Sequence, residues 1–202
     1  MPPDDTAALP PPGDAADLLP PYAGLDPACI TLVRDSAAAA AARVVLEAAD
    51  ALGFDTESRP TFVRGEASSG PHLVQLATDS HCFLYQVDHL ADLADLRAVL
   101  ESPGLVKAGF GLVDDLRRLA SKCDIHCAGV LDLAQQLRRN RREAMGVKQA
   151  VADLLGRRLQ KSRRVATTNW ASRRLSQRQM LYAANDAHAA LCVYRAWMAR
   201  SA

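Results

Sequence analysis

Five oxygen-bearing side chains, Asp55, Glu57, Asp115, Tyr182 and Asp186, have the types and spacings of one cation site. The first pair stands in Leu52-Gly53-Phe54-Asp55-Thr56-Glu57, whose apolar start reads as a buried strand that ends in acid. Alternation along a strand puts Asp55 and Glu57 on the same face. Tyr182 and Asp186 lie four apart in Met180-Leu181-Tyr182-Ala183-Ala184-Asn185-Asp186-Ala187, which reads as helix, so they stack on one side of it. Four carboxylates drawn from three distant segments cannot share a buried place unless cations hold them there. Hard oxygen donors of this kind suit Mg²⁺ or Mn²⁺.

The elements that must position these residues follow from pattern. Ile30 to Val33 reads as a strand, and Asp35 or Ser36 can cap the alanine-rich helix that follows to about Asp50. Leu52 to Glu57 is the acid-bearing strand. Residues 58–71, with Pro60, Gly65, Gly70 and Pro71, read as a loop or hairpin turn. His72 to Thr78 and His81 to Val87 read as two strands around Asp79-Ser80. Leu90 to Leu100 reads as helix, Leu105 to Ala108 as strand, Gly111 to Lys122 as helix and Val130 to Asp132 as a last short strand. The remainder reads as helix with a basic break around 156–169, ending in a long helix from Ser176 to about Met198. This order of elements predicts an α/β domain.

Length and composition fit one domain with an ample core, since 202 residues are 49% hydrophobic. Residues 1–26 hold seven prolines and five aspartates without Lys or Arg, and read as a flexible acidic leader ahead of a domain at 27–202. The leader has no secretory pattern, and no apolar run approaches membrane-spanning length, so a cytoplasmic location and reduced cysteines are expected. Cys123, His126 and Cys127 lack the second cluster that a structural zinc site needs. The leader hides a charge bias. The whole chain has 24 basic and 23 acidic residues, whereas residues 27–202 set the same 24 against 18. Between 131 and 178, thirteen Lys or Arg face three acids, with clusters at Arg138, Arg139, Arg141 and Arg142 and at Arg157, Arg158, Lys161, Arg163 and Arg164. Such clusters beside a carboxylate site suit a polyanion that must be steered to it.

The three motifs resemble the DEDD (DnaQ-like) superfamily of 3′–5′ exonucleases. The first is Gly53-Phe54-Asp55-Thr56-Glu57, the second runs from Lys107 to Leu116, and the third is Tyr182-Ala183-Ala184-Asn185-Asp186-Ala187. Thr168-Asn169-Trp170, then Leu175-Ser176 and Gln179, look like the family's run before the third motif. A sister subtype carries histidine five residues before the last aspartate. Leu181 stands there, so the resemblance implies the tyrosine (DEDDy) subtype, with the Werner-type exonuclease domain as the nearer branch and ribonuclease D as the more distant. Taken singly, Glu57 reads as a surface charge and Tyr182 as core, but three motifs in order read as a site. Of the adjacent Asp114 and Asp115, the family's Gly-x-Gly-x-x-x-Asp pattern favours Asp115.

The resemblance implies a ribonuclease H-like fold, with a five-stranded mixed sheet flanked by helices. It implies two Mg²⁺ or Mn²⁺ ions held by Asp55, Glu57, Asp115 and Asp186, with Tyr182 orienting the attacking water. The product would be nucleoside 5′-monophosphates from a 3′ end. The backbone of Thr56 would lie near the terminal nucleotide. Arg117, where the Werner-type domain has an aromatic, would contact the strand. DNA is the leading substrate. An RNA-trimming or oligoribonucleotide-degrading enzyme is the alternative, and a non-catalytic nucleic-acid-binding module the third reading. The motifs point to an exonuclease domain standing alone, for which a homo-oligomer would supply a clamp on the substrate.

Overall fold

A computed structural model describes residues 18–61, 66, 68–138 and 143–201. Its centre is one mixed sheet of six strands: β1 (Ile30–Val33), β2 (Ala51–Glu57), β3 (Leu73–Ala77), β4 (Cys82–Gln86), β5 (Val106–Gly109) and β6 (Val130–Asp132). The spatial order is β1-β4-β3-β2-β5-β6. β2, β3 and β4 form an antiparallel meander, while β5 and β6 continue parallel to β2. The family resemblance implies five strands. The sixth is β1, which pairs in parallel with β4 and covers an edge that the meander would leave open.

The helices lie on both sides of the sheet. α1 (Ser36–Glu47) starts on Asp35, whose carboxylate accepts from the Ala38 amide at 2.8 Å. It lies with α2 (Ala94–Glu101) and α3 (Val113–Cys123) over a core that includes Leu46, Phe54, Leu76, Tyr85 and Leu100. α4 (Leu133–Gln136), α5 (Val147–Leu155), α6 (Arg163–Ala166) and α7 (Gln177–Ser201) follow β6. The described break between α5 and α7 is thus longer than the basic residues alone suggest and contains only one short helical turn. The 25-residue α7 crosses the sheet beside β2 and β3, packing Ala183, Ala184 and Ala187 against Leu73, Leu84 and Trp170.

Two glycines set how close these layers come. A Cβ on Gly53 of β2 would stand 1.9 Å from the carbonyl oxygen of Ala187 in α7. A Cβ on Gly109 of β5 would stand 2.4 Å from the carbonyl oxygen of Phe54. The small residues let α7 and the turn into α3 approach the acid-bearing end of β2.

Residues 20–25 belong to the body, not to a flexible leader. Pro20 and Tyr22 exchange backbone hydrogen bonds with Arg158, the Tyr22 hydroxyl meets His188 Nδ1 at 2.7 Å, and the Leu25 amide donates to Asn185. His188, on α7, is thereby a packing residue away from the acidic cluster. Residues 1–17 of the leader, and Arg139, Arg141 and Arg142 of the first basic cluster, lie outside the described residues. Among the described residues, no helix is long and apolar enough to cross a membrane.

Candidate active site

The start of α7 decides where Tyr182 and Asp186 stand, and a capping box fixes that start. Ser176 Oγ accepts from the Gln179 amide at 3.2 Å, and Gln179 Oε1 accepts from the Ser176 amide at 3.0 Å. Gln179 Nε2 then donates to Thr168, which ties the cap to the preceding loop. Below it Trp170 is fully buried. Its indole donates to the Ala166 carbonyl at 3.1 Å, and its ring centroid lies 6.1 Å from that of Tyr182. The Thr168-Asn169-Trp170 run is therefore the wedge that holds the third motif at the end of the sheet.

The turn into α3 does the same for Asp115. Gly111 takes the left-handed backbone, φ 68°, and the Asp132 carboxylate accepts from the amides of Gly111 and Leu112 at 2.8 and 3.3 Å. One Asp132 oxygen also caps α4 through the Ala134 amide. The sequence marks Asp132 only as the end of a strand, although an aspartate before an apolar helical turn is a capping signal. Asp132→Ala should lower stability by about 2 kcal/mol, since it removes the cap of α4 and two hydrogen bonds to the turn that leads into α3. It should also lower cleavage by loosening Asp115. Thermal unfolding and cleavage rates check both, and unchanged values would contradict the role given to Asp132.

The site forms where β2, α3 and α7 meet. Asp55, Glu57 and Asp186 act strongly on one another, and Asp115 lies within electrostatic reach of Asp55 and Glu57. Asp186 is buried. The Tyr182 hydroxyl leans on the Asp186 carboxylate. Asp115 is 15% exposed whereas Asp114 is 62% exposed, so the helix turns Asp115 toward the sheet. Alternation puts Thr56 on the opposite face of β2 from Asp55 and Glu57, and it is Thr56 that meets Asp115, through Oγ1–Oδ1 at 2.5 Å. The Thr56 side chain thus positions an acid, in addition to the backbone role expected of it. Arg118 lies 3.5 Å from the same carboxylate. Arg117 is not brought to the cluster: it is 72% exposed and paired with Asp114 at 2.6 Å.

One residue at the centre was not singled out by sequence. Lys161 Nζ sits 2.8 Å from Asp186 and 5.7 Å from the centroid of the Tyr182 ring. In sequence it is one base in a basic run, and nothing in its spacing marks it as turning inward. Burial works against its charge, yet Asp186, Asp55 and Glu57 hold the ammonium above the ordinary lysine range.

The electrostatics are those of an acidic cluster short of positive charge. Burial first, then the neighbouring carboxylates, raises Asp55 well above the carboxylate range and pushes Glu57 up to about 9. Burial likewise raises Asp115 and Asp186, against the pull of Thr56 and Lys161 respectively. Burial and the same negative charges raise Tyr182, so its phenol stays protonated. Among the described residues, no three His, Cys, Asp or Glu side chains close into a ready cage. Thr56 and Arg118 draw Asp115 to one side, and Lys161 reaches into the middle. The donor chemistry nevertheless fits hard divalent cations: the donors are carboxylate oxygens, they repel one another when ionised, and an ammonium already stands among them.

This gives a pH dependence with a definite sign. Glu57 and Asp55 have folded values above their unfolded ones, so their contribution to stability is complete below about pH 4 and is lost as pH rises toward 9. The chelated protein should therefore melt lower at pH 8.5 than at pH 5.5, by on the order of 5 °C. The stabilisation by Mn²⁺ should grow over the same window. A chelated melting temperature that rises with pH would contradict the assigned repulsion.

The sequence model of the 3′–5′ exonuclease family matches residues 30–198. The mouse protein named bifunctional 3′–5′ exonuclease/ATP-dependent helicase WRN is 28% identical over 149 residues, covering 72% of this chain and 11% of its own length. This chain thus spans only a small part of that relative. The crystal structure of the Aedes aegypti Nibbler EXO domain is similar with a TM-score of 0.73 at 25% identity, over 85% of this chain and 88% of that one. Escherichia coli RNase D shares the fold with a TM-score of 0.75 at 24% identity, over 85% of this chain and 45% of that one. The ribonuclease H-like architecture read from the motifs is thereby borne out, and the match covers both the acid-bearing strand and the helix of Tyr182 and Asp186. This chain is an enzyme that belongs to the 3′–5′ exonuclease family.

Proposed function

We propose that the protein hydrolyses phosphodiester bonds from the 3′ end of a nucleic acid strand, DNA first, and releases nucleoside 5′-monophosphates. The observation that carries this reading is the convergence of Asp55, Glu57, Asp115 and Asp186 with Tyr182 at one end of the sheet. Asp55, Glu57 and Asp186 would hold one divalent ion, and Asp55 with Asp115 a second. Such ions, when bound, stabilise charge on the scissile phosphate and lower the pKa of attacking water.

The chain's own residues have complementary tasks. The protonated Tyr182 phenol can donate a hydrogen bond to orient a water or a phosphate oxygen, and its raised pKa makes it a poor base. Thr56 holds Asp115 on its side of β2. Lys161 neutralises part of the acidic cluster and is placed to follow the incoming phosphate once other cations enter. The low exposure of Asp186 keeps this chemistry away from bulk water.

RNA is the second reading, and the fold shared with E. coli RNase D, an exoribonuclease, keeps it in view. The test is digestion of 5′-labelled single-stranded DNA, recessed duplex DNA, long RNA and diribonucleotides with Mn²⁺, Mg²⁺ or chelator. A metal-dependent ladder shortening from the 3′ end is expected, strongest on DNA. Faster loss of RNA would replace the DNA reading. Binding of strands without nucleotide release in any lane would leave only a binding module.

A further inference from the structure

A cavity of about 890 Å³ opens beside the acidic cluster, between α5, α7, the 158–162 segment and residues 22–23. Lys161 and Tyr182 belong to both places, so the cavity continues from the site. Its volume lies in the range of binding pockets, roughly 300–1,000 Å³. Its charge is one-sided. Lys148, Arg158, Lys161 and Arg178 line it, and among the described residues no carboxylate does.

Three of these four cations are uncommitted among the described residues. Lys161 is the one that reaches an acid, Asp186, whereas Lys148, Arg158 and Arg178 form no ion pair among the described residues. Arg158 Nε is buried and has no hydrogen-bond partner among the described residues. A buried guanidinium nitrogen left unpartnered is costly, and an anionic oxygen is the partner its chemistry selects. Lys148 stands in the first turn of α5, whose N-cap Gly146 offers no side chain to the helix amides, so the helix dipole adds to the same potential.

The spread of the cations separates two anions. A single phosphate needs convergent donors. Here the donors come from three elements, and the α7 lining runs from Arg178 to Asn185, about 10 Å of helix. That is the layout of a track for successive phosphates, with Leu181 and the Tyr182 ring as apolar surface on which bases can lie. We infer that this cavity holds the phosphodiester backbone of the single strand adjoining the scissile bond, through Lys148, Arg158 and Arg178, and hands the terminal phosphate to Lys161. The inference rests on the nuclease reading for the direction of travel, while the anion site itself stands on the cavity.

The test uses the full chain in EDTA, so that no cleavage intervenes. Anisotropy of a fluorescein-labelled oligothymidylate and calorimetry with thymidine 5′-monophosphate are compared for wild type, the triple variant Lys148→Gln/Arg158→Gln/Arg178→Gln and the control Arg43→Gln on α1. The triple variant should bind the oligonucleotide about tenfold or more weakly, and its salt slope should fall by about 0.7 for each phosphate no longer neutralised. The mononucleotide should change little, and Arg43→Gln should match wild type. Because Arg158 also packs, the double variant Lys148→Gln/Arg178→Gln, at two exposed positions, should show part of the same loss with an unchanged melting temperature. Undiminished oligonucleotide binding by the triple variant would overturn the inference. Equal losses for mononucleotide and oligonucleotide would overturn it in favour of a product site. If wild type binds strands through these residues yet never cleaves them with Mn²⁺, the nuclease reading fails and the strand site stands.

Discussion

Asp55→Asn should abolish cleavage, by on the order of 10³-fold or more, while raising the melting temperature of the chelated protein. The two effects have one cause. Asp55 sits where burial and the charges of Asp186 and Asp115 oppose its ionisation, while Lys161 pulls the other way. An amide of the same shape removes that repulsion and keeps the packing of β2. It also removes an anionic donor from the place where the divalent ions would be shared. Stability gained at the expense of activity marks a strained functional site, in contrast to a structural acid whose loss costs both. Single-turnover cleavage and melting in EDTA read the two effects separately. Retained cleavage would remove Asp55 from the chemistry, and a lowered melting temperature would make it a structural residue.

Gly53→Ala is expected to cost about 3 kcal/mol or more, a fall in melting temperature on the order of 10 °C. The added methyl would meet backbone, 1.9 Å from the Ala187 carbonyl oxygen, and would stand 3.2 Å from Leu191 Cβ. A helix carbonyl cannot rotate away as a flexible side chain can, so α7 must move off the sheet. Asp186 precedes Ala187 and Asp55 follows Gly53 by two residues, so the same shift separates the acids of β2 from the acid of α7. Cleavage should fall with stability. Gly104→Ala, where an added Cβ meets nothing within 4 Å, is the matched control and should be silent. A Gly53→Ala protein that melts and cleaves like wild type would show that the close approach of β2 and α7 is not required.

The fold was legible where local pattern and tertiary role coincide. The apolar run before Asp55 is β2, the His72 and His81 segments contain β3 and β4, and the Asp35 cap begins α1 as its chemistry predicts. The acids were legible because each motif carries its spacing locally: period two on β2 and four residues on α7. Long-range contacts were not. Nothing near Thr56 says that its hydroxyl meets Asp115, 59 residues away, and nothing near Lys161 says that it faces Asp186. Arg117 was placed by analogy with an aromatic, but Asp114, three residues before it on the same helix, holds it at the surface. The prolines before Tyr22 read as leader because composition cannot report that Pro20 and Tyr22 pair with Arg158.

The identity of the first product tests whether the acids of β2, α3 and α7 run a metal-dependent hydrolysis from a 3′ end. A strand labelled at its 3′-terminal nucleotide is incubated with wild-type protein and Mn²⁺, with and without chelator, and the label is resolved by chromatography. Label should be released at once as the nucleoside 5′-monophosphate, and none should be released in chelator. Label appearing as a 3′-phosphate or an internal fragment, or released equally in chelator, would contradict that hydrolysis.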